Sequence, residues 1–259
     1  MPITGPDILL YEKQDKVVVI TLNRPERMNA LSYELEQRLA EAWIRFRDDE
    51  DAWVAILTGS GEKAFCSGID LIERNEMAKK GIGKKQGRIE YFGTELWKPK
   101  IAAINGYAVA AGFLLAMDCD IRIAAEHAEL GIPESRWNMP AYWVCMLSRH
   151  FTLSHALELA LWGDERITAK RGYEMGFINR VVPKEQLMEE AMSWARRMTF
   201  LAPRAVRNFK EIIHKSYTMT YQEGFTFGRA LEQNLVGMED SIEGPRAFAE
   251  KRKPLFKNK

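Results

Sequence analysis

The sequence predicts an α/β fold, and three observations predict it. Within the first sixty residues a β-branched apolar run, an amphipathic helical stretch and a second apolar run follow one another. The same alternation returns between residues 101 and 124, and helical periodicity takes over after Glu134. Strand, helix and strand in that order form the unit of a parallel crossover.

The first strand is Val17-Val18-Val19-Ile20-Thr21-Leu22, ended by Asn23-Arg24-Pro25, where proline can no longer donate to a ladder. A helix starts at Ser32, a good N-cap, with Glu34 and Glu36 in its first turn and Leu35, Leu39, Trp43 and Phe46 at helical spacing. Trp53-Val54-Ala55-Ile56-Leu57 is a buried strand closed by Gly59-Ser60-Gly61. Residues 73–88 are polar and rich in glycine and lysine, with no clean period, and read as a mobile loop or a short frayed helix. Ile101–Ile104 and Ile121–Ala124 are two further strands with a short apolar helix, Phe113–Met117, between them. Helical patterns then cover about 154–162, 168–175, 184–199, 203–217, 220–237 and 240–251, interrupted by one strand-like run at Phe177–Val182. No internal repeat and no low-complexity tract is present.

The chain has 259 residues, 46% hydrophobic and 28% charged, enough to bury a core and solvate a surface. Its 37 basic and 36 acidic residues leave a net charge of +1, so no global field draws it to nucleic acid or to an anionic membrane. Three cysteines without C-x-x-C spacing argue against a disulfide framework and against a metal cage. The opening residues do not read as a secretory signal and no long apolar run suggests a membrane span, so a cytoplasmic location is expected.

Several segments invite chemistry and give a plain reading instead. Gly59-Ser60-Gly61 follows a strand as a dinucleotide fingerprint does, but Phe65-Cys66-Ser67-Gly68 comes next where a helix must open, so it reads as a turn. Cys145, in the apolar run Trp143-Val144-Cys145-Met146, reads as core, and His150 and His155 as surface or helix-end residues. The lysines of 79–85 and of the C-terminal tail read as solvated faces.

Three other segments belong together. Lys63 to Leu71 bends at Gly68 after a strand and turns backbone N–H groups outward. Asn105-Gly106-Tyr107-Ala108-Val109-Ala110-Ala111-Gly112 makes a second bend that runs into a helix, whose first N–H groups lack internal partners. Gly131-Ile132-Pro133-Glu134 sets a carboxylate after a proline turn, near Trp137, Tyr142 and Trp143, where an apolar setting raises a carboxyl pKa toward that of a general base. By itself Glu134 reads more often as a helix N-terminal acid than as a base.

In order and spacing these segments closely resemble the crotonase superfamily, the enoyl-CoA hydratase/isomerase family. The resemblance also takes in Asn23-Arg24-Pro25 with Asn29-Ala30-Leu31, the stretch Leu161–Pro183 and the terminal Phe248-x-Glu250-Lys251-Arg252. It implies a spiral of ββα units over residues 1–195, a helical region over 196–259 that forms trimers or dimers of trimers, and a coenzyme A thioester as ligand, with no metal and no cofactor beyond the substrate's own CoA. Carried over residue by residue, it implies that the N–H groups of Ile69 and Ala111 bind the thioester oxygen and that Glu134 is the base. It places Arg27, Met28, Cys66 and Gly68 along the CoA, and brings a basic side chain, Arg27 or a tail lysine of a neighbouring subunit, to the phosphates.

The departures from the family pattern bear on the reaction. Leu114 stands where two-carboxylate hydratases carry a second glutamate, and an apolar residue cannot hold or protonate water. Ala110 and Ala111 replace the middle glycines of their loop and narrow the thioester pocket. Trp137 to Trp143 replaces a glycine-rich stretch and resembles the aromatic run of single-glutamate enoyl-CoA isomerases. Leu114, Phe113, Trp137, Trp143 and Trp97 are expected around the acyl group, the three tryptophans serving either there or as core and subunit contacts. A 3-enoyl-CoA to 2-enoyl-CoA isomerase is expected, with a single-glutamate hydratase or lyase of a cyclic or dienoyl thioester as the alternative. An RNA-binding role through Lys79, Lys80, Lys84 and Lys85 lacks aromatic interleaving in its basic loop.

Overall fold

The structure is a computed structural model that describes residues 7–81 and 95–259. In chain order the elements begin with β1 (Leu9–Gln14), β2 (Val17–Leu22), α1 (Tyr33–Asp48), β3 (Val54–Gly59), β4 (Ala64–Cys66) and α2 (Leu71–Lys79). They continue with β5 (Lys100–Ile104), β6 (Tyr107–Val109), α3 (Ala111–Asp118), β7 (Ile121–Ala125), β8 (Glu129–Gly131), α4 (Leu153–Leu161) and β9 (Ile167–Thr168). Then come α5 (Ala169–Glu174), β10 (Arg180–Val182), α6 (Leu187–Met198), α7 (Pro203–Ser216), α8 (Tyr221–Glu232) and α9 (Glu239–Ala249).

The strands form a six-stranded sheet, β1-β2-β3-β5-β7-β10, and a four-stranded sheet, β4-β6-β8-β9. The larger is parallel except for β1, which forms a hairpin with β2. The pairs β3/β4, β5/β6 and β7/β8 each give one strand to each sheet, so the chain advances as a spiral of ββα turns.

Burial on both faces explains why the larger sheet reads as unbroken apolar runs rather than as alternation. Val18, Ile20, Leu22, Leu57 and Ile104 point into the main core with Phe65, Ala108 and Leu130 of the smaller sheet. Val17, Val19, Val54, Ile56, Ile101 and Ile123 point the other way, onto Leu187, Ala191 and Ala195 of α6. Helix α1 starts where its N-cap predicts, the Ser32 hydroxyl accepting from the Leu35 N–H at 3.2 Å, and buries Leu35, Leu39, Trp43 and Phe46.

Two expectations about elements change, and the alternative left open over 73–88 resolves toward a short helix. Part of the 73–88 loop is the helix α2, N-capped by Asp70; it buries none of its residues, which is why it has no hydrophobic period, and the stretch beyond Gly81 lies outside the described residues. The helix expected over 220–237 ends at Glu232 and tightens into a 3-10 turn, Gln233–Leu235. Cys145 is exposed rather than core.

Helix α7 is fastened to the sheet ends by charge. The Asp120 carboxylate accepts from the Lys100 N–H at 2.7 Å and pairs with Lys210 Nζ at 2.8 Å and His214 Nε2 at 3.7 Å. Helices α7 and α8 pack closely where Gly228 lies on Ile212, and they leave Phe209, Ile213, Tyr217, Tyr221 and Phe225 exposed. Among the described residues no helix is long and apolar enough to cross a membrane.

Candidate active site

Strands β4, β6 and β8 lie side by side and parallel, so the segments that leave their C-terminal ends emerge at one edge of the smaller sheet. Those segments are the Ser67–Ile69 bend, the Ala110–Ala111 bend and the Pro133–Glu134 turn.

The first two bends touch. Gly68 has φ +95°, a conformation that favours glycine, and a Cβ there would lie 2.7 Å from the Ala110 methyl and 3.4 Å from the Ala111 nitrogen. Gly112 is required by close approach, since its Cβ would lie 2.0 Å from the Cys66 carbonyl oxygen; the first turn of α3 therefore rests directly on β4. Ala110 adopts φ 55°, ψ −128° without being glycine, and its N–H donates to the Gly131 carbonyl at 3.0 Å. Holding an L-residue there costs about 1–3 kcal/mol. Among the described residues neither the Ile69 nor the Ala111 N–H meets an acceptor. Two free amides on adjoining bends can together receive a developing oxyanion.

Two asparagines that the sequence reading left without a role hold this arrangement. Asn29 is fully buried with φ 54°; its side-chain oxygen accepts from the Arg24 N–H at 2.9 Å, and its amide donates to the carbonyls of Ser60 at 3.0 Å and Ala64 at 2.7 Å. Asn105 accepts from the Gly59 N–H at 3.2 Å and donates to the Gly61 carbonyl at 3.0 Å. Both stitch the loops to the ends of β3 and β4. The signal for Asn105 was an asparagine directly after a strand, and for Asn29 an asparagine in a turn, where αL backbone and side-chain capping are common. Arg24 completes the brace, pairing with Asp70 at 3.0 Å while the Leu31 N–H donates to the Gly68 carbonyl at 2.8 Å.

Glu134 sits in a 3-10 turn, Pro133–Trp137, whose proline sets the entry. Its Oε2 is buried and has no hydrogen-bond partner among the described residues. Burial pushes its pKa above the ordinary value of 4.5, opposed by a bond to its own backbone N–H; among the described residues no charged neighbour contributes. Leu114 lies buried in α3.

The structure gathers Arg27, Met28, Cys66 and Gly68 into one loop cluster: Met28, at φ 51°, accepts from the Ser67 N–H at 3.1 Å, and Arg27 beside it is exposed. Burial pushes the Cys66 thiol up to about 12, so it is no nucleophile. The aromatic expectations separate. Trp143 is buried against Phe113 with ring centroids 6.3 Å apart. Phe113 is fully buried and stacks at 5.0 Å on Phe177. Trp137 is 62% exposed with the Arg136 guanidinium over its ring. Trp97 packs on α7, against His214 and under the Lys215 ammonium. The tail lysine Lys257 pairs with Glu239 at 3.5 Å, and the Lys257 and Asn258 N–H groups donate to the Asp240 carboxylate, fastening the tail to α9.

The family model for enoyl-CoA hydratase/isomerase matches residues 12–259. The chain belongs to the enoyl-CoA hydratase/isomerase family. It is 38% identical over 96% of its length, and 90% of the relative's, to a probable mitochondrial enoyl-CoA hydratase of Dictyostelium discoideum. It is 35% identical to an (E)-benzylidenesuccinyl-CoA hydratase of Thauera aromatica over 99% of both chains. The crystal structure of an enoyl-CoA hydratase from Mycobacterium tuberculosis H37Rv superposes with a TM-score of 0.91 at 31% identity, covering 98% of this chain and all of that one. This family member thus carries a crotonase fold with a helical C-terminal region, and it is an enzyme of that family.

Proposed function

We propose that this enzyme moves a proton at the carbon next to the carbonyl of an enoyl-CoA thioester, with Glu134 as the carboxylate base. The observation that carries the reading is the state of Glu134: a buried Oε2 without partner, raised by burial alone, at the strand edge that also presents the free Ile69 and Ala111 amides. The thioester oxygen takes both amides, which stabilise the enolate; removing one such donor typically raises a barrier by about 3–4 kcal/mol. Glu134 takes the C2 proton of a 3-enoyl thioester and returns it to C4, leaving the 2-enoyl isomer. Apolar Leu114, in place of a second acid, favours this net isomerisation because it gives water no partner. Arg27, Met28, Cys66 and Gly68 follow the CoA, which needs no further cofactor and no metal. The exposed apolar face of α7 and α8 supports assembly into trimers, singly or in pairs.

The similarity to proteins named hydratases favours a second reading, in which Glu134 alone activates water and adds it across the double bond of an unusual enoyl thioester. A paired assay separates the two. Wild type and Glu134→Gln receive a 3-enoyl-CoA and, separately, a 2-enoyl-CoA of matched length, with products weighed by mass spectrometry. Double-bond migration without mass gain, lost in the variant, is the expected result; gain of one water from the 2-enoyl substrate would replace isomerisation with hydration.

A further inference from the structure

Of the two helices that adjoin the free amides, one is packed and the other is hung. Helix α3 is buried along most of its length, and its first turn rests on β4. Helix α2 buries none of its residues, and its apolar Leu71 and Ile72 are exposed. Apolar burial therefore does not decide where α2 lies, and polar ties must. Among the described residues Asp70, Glu73 and Arg74, from its cap and first turn, supply them. Asp70 pairs with Arg24, and the Glu73 carboxylate accepts from the Tyr33 N–H at 2.9 Å. Of the three, Arg74 is the one that grips side chains of α1. Its Nη2 donates to Glu36 Oε2 at 2.7 Å, and its guanidinium lies 3.5 Å from the centre of the Tyr33 ring.

The post that Arg74 grips is firm. Glu36 is buried on α1, a helix fixed by Leu35, Leu39, Trp43 and Phe46. Burial pushes the Glu36 carboxyl up and Arg74 draws it back, so the buried carboxylate depends on this guanidinium. Glu36 Oε1 and Arg74 Nε are covered and have no partner of their own among the described residues, so the tie lies out of water, where a charged hydrogen bond is strong. The segment so held begins at Ile69, one residue before the Asp70 cap. Leu31 brackets Ile69: the Leu31 N–H donates to the Gly68 carbonyl at 2.8 Å, and the Asp70 N–H donates to the Leu31 carbonyl at 3.0 Å. In such a parallel bridge the Ile69 N–H faces away from Leu31. A shift of α2 against α1 pulls on the Asp70 bond and turns the Ile69 amide with it, whereas a catalytic donor must hold its place within about 0.5 Å.

We propose that Arg74, through Glu36, is a positioning residue for the Ile69 amide: it locks the unpacked helix α2 onto α1 and so holds one of the two donors to the thioester oxygen. The proposal rests on the reading of the Ile69 and Ala111 amides as those donors. The test uses the full chain and acetoacetyl-CoA, a thioester whose enolate absorbs in the near ultraviolet. Amides aimed at the oxygen favour the enolate, so wild type should lower the pH at which the bound ligand enolises. Arg74→Gln and Glu36→Gln should each raise that pH by about one unit from the wild-type value, a loss of about tenfold in enolate binding over keto binding. Deuterium exchange at C2 of a saturated acyl-CoA should slow about tenfold, with KM little changed. The double variant should also lose about tenfold, rather than about a hundredfold, because the two side chains make one tie. Arg74→Lys keeps the charge and should lose less than Arg74→Gln; it serves where the glutamine variants fold poorly. Affinity for free CoA should be the same in every variant, and amide exchange over Leu71–Lys79 should quicken in Arg74→Gln. An enolisation pH unchanged in Arg74→Gln, or losses that multiply in the double variant, would overturn the proposal. A wild type that does not lower the enolisation pH would instead overturn the oxyanion-hole reading on which it rests.

Discussion

Glu134 and Asp120 are both carboxylates withdrawn from water, yet their surroundings are opposite. Asp120 is fully partnered: burial works to raise its pKa, but Lys210, His214 and Lys100 outweigh burial and hold it at about 2. Glu134 has burial and, among the described residues, no cation, so its pKa moves up. The difference teaches how surroundings decide the state of a buried acid. At the seam between α7 and the sheet, charge is spent on holding two elements together; at the edge of the smaller sheet an acid is left without a partner, an arrangement that destabilises its ionised form and makes it a better base.

The largest expected effect breaks the comparison at its reactive end. Glu134→Gln should lower turnover of an enoyl-CoA by about a thousandfold, within the range assigned to general acid–base groups. It should leave the melting temperature at pH 7 unchanged or slightly raised. The sign follows from the raised pKa: Glu134 favours folding fully only below its unfolded value of 4.5, and that advantage is lost as pH rises through its folded value. A melting temperature that falls by several degrees would assign Glu134 a structural part. In the wild type, kcat/KM should climb with pH through an apparent pKa above 4.5.

The next effect breaks it at the structural end. Asp120→Asn leaves Lys210 and His214 facing a neutral amide, and should destabilise the protein by about 3 kcal/mol in denaturant unfolding. Here the sign is reversed. Asp120 contributes stability above its unfolded value of 3.8, and this contribution disappears as pH falls toward about 2. The stability difference between wild type and Asp120→Asn should therefore narrow on acidification below pH 3.8. A constant difference down to acid pH would contradict the charge pairing.

The smallest effect sharpens the comparison. Ala110→Gly relieves the strain of φ 55° at the bend, while freeing the unfolded chain offsets about 0.4–1 kcal/mol of the gain. A net gain of about 1 kcal/mol should raise the melting temperature by about 2–4 °C. Because its methyl faces Gly68, its removal should also loosen the Ala111 amide and lower kcat several-fold with little change in KM. A variant that is both more stable and fully active would show that the methyl has no positioning role.

The fold was legible wherever burial left a period. Strand β2 and helix α1 could be read to the residue because both faces of one and a wide stripe of the other are packed. Strands β4, β6 and β8 are three residues each, too short to show alternation, and β1 fades into Glu12-Lys13-Gln14 at an edge. The bends were legible because Gly68, Ala111 and Glu134 each follow a strand, and the first two meet at Ala110 and Ala111. Trp97 and Trp137 sit in irregular segments, where no period says which surface a ring meets. The Asp120 seam joins residues 90 apart and more, and a lone charge in sequence does not name its partner.

The most direct test is hydrogen exchange at C2. A saturated acyl-CoA incubated with the enzyme in deuterated water can lose only its C2 hydrogens to a base opposite an oxyanion hole, with no other step to obscure the result. Wild type should place deuterium at C2, and Glu134→Gln should reduce the rate by about a thousandfold. No exchange with wild type, or equal exchange with the variant, would contradict the assignment of Glu134 as the base.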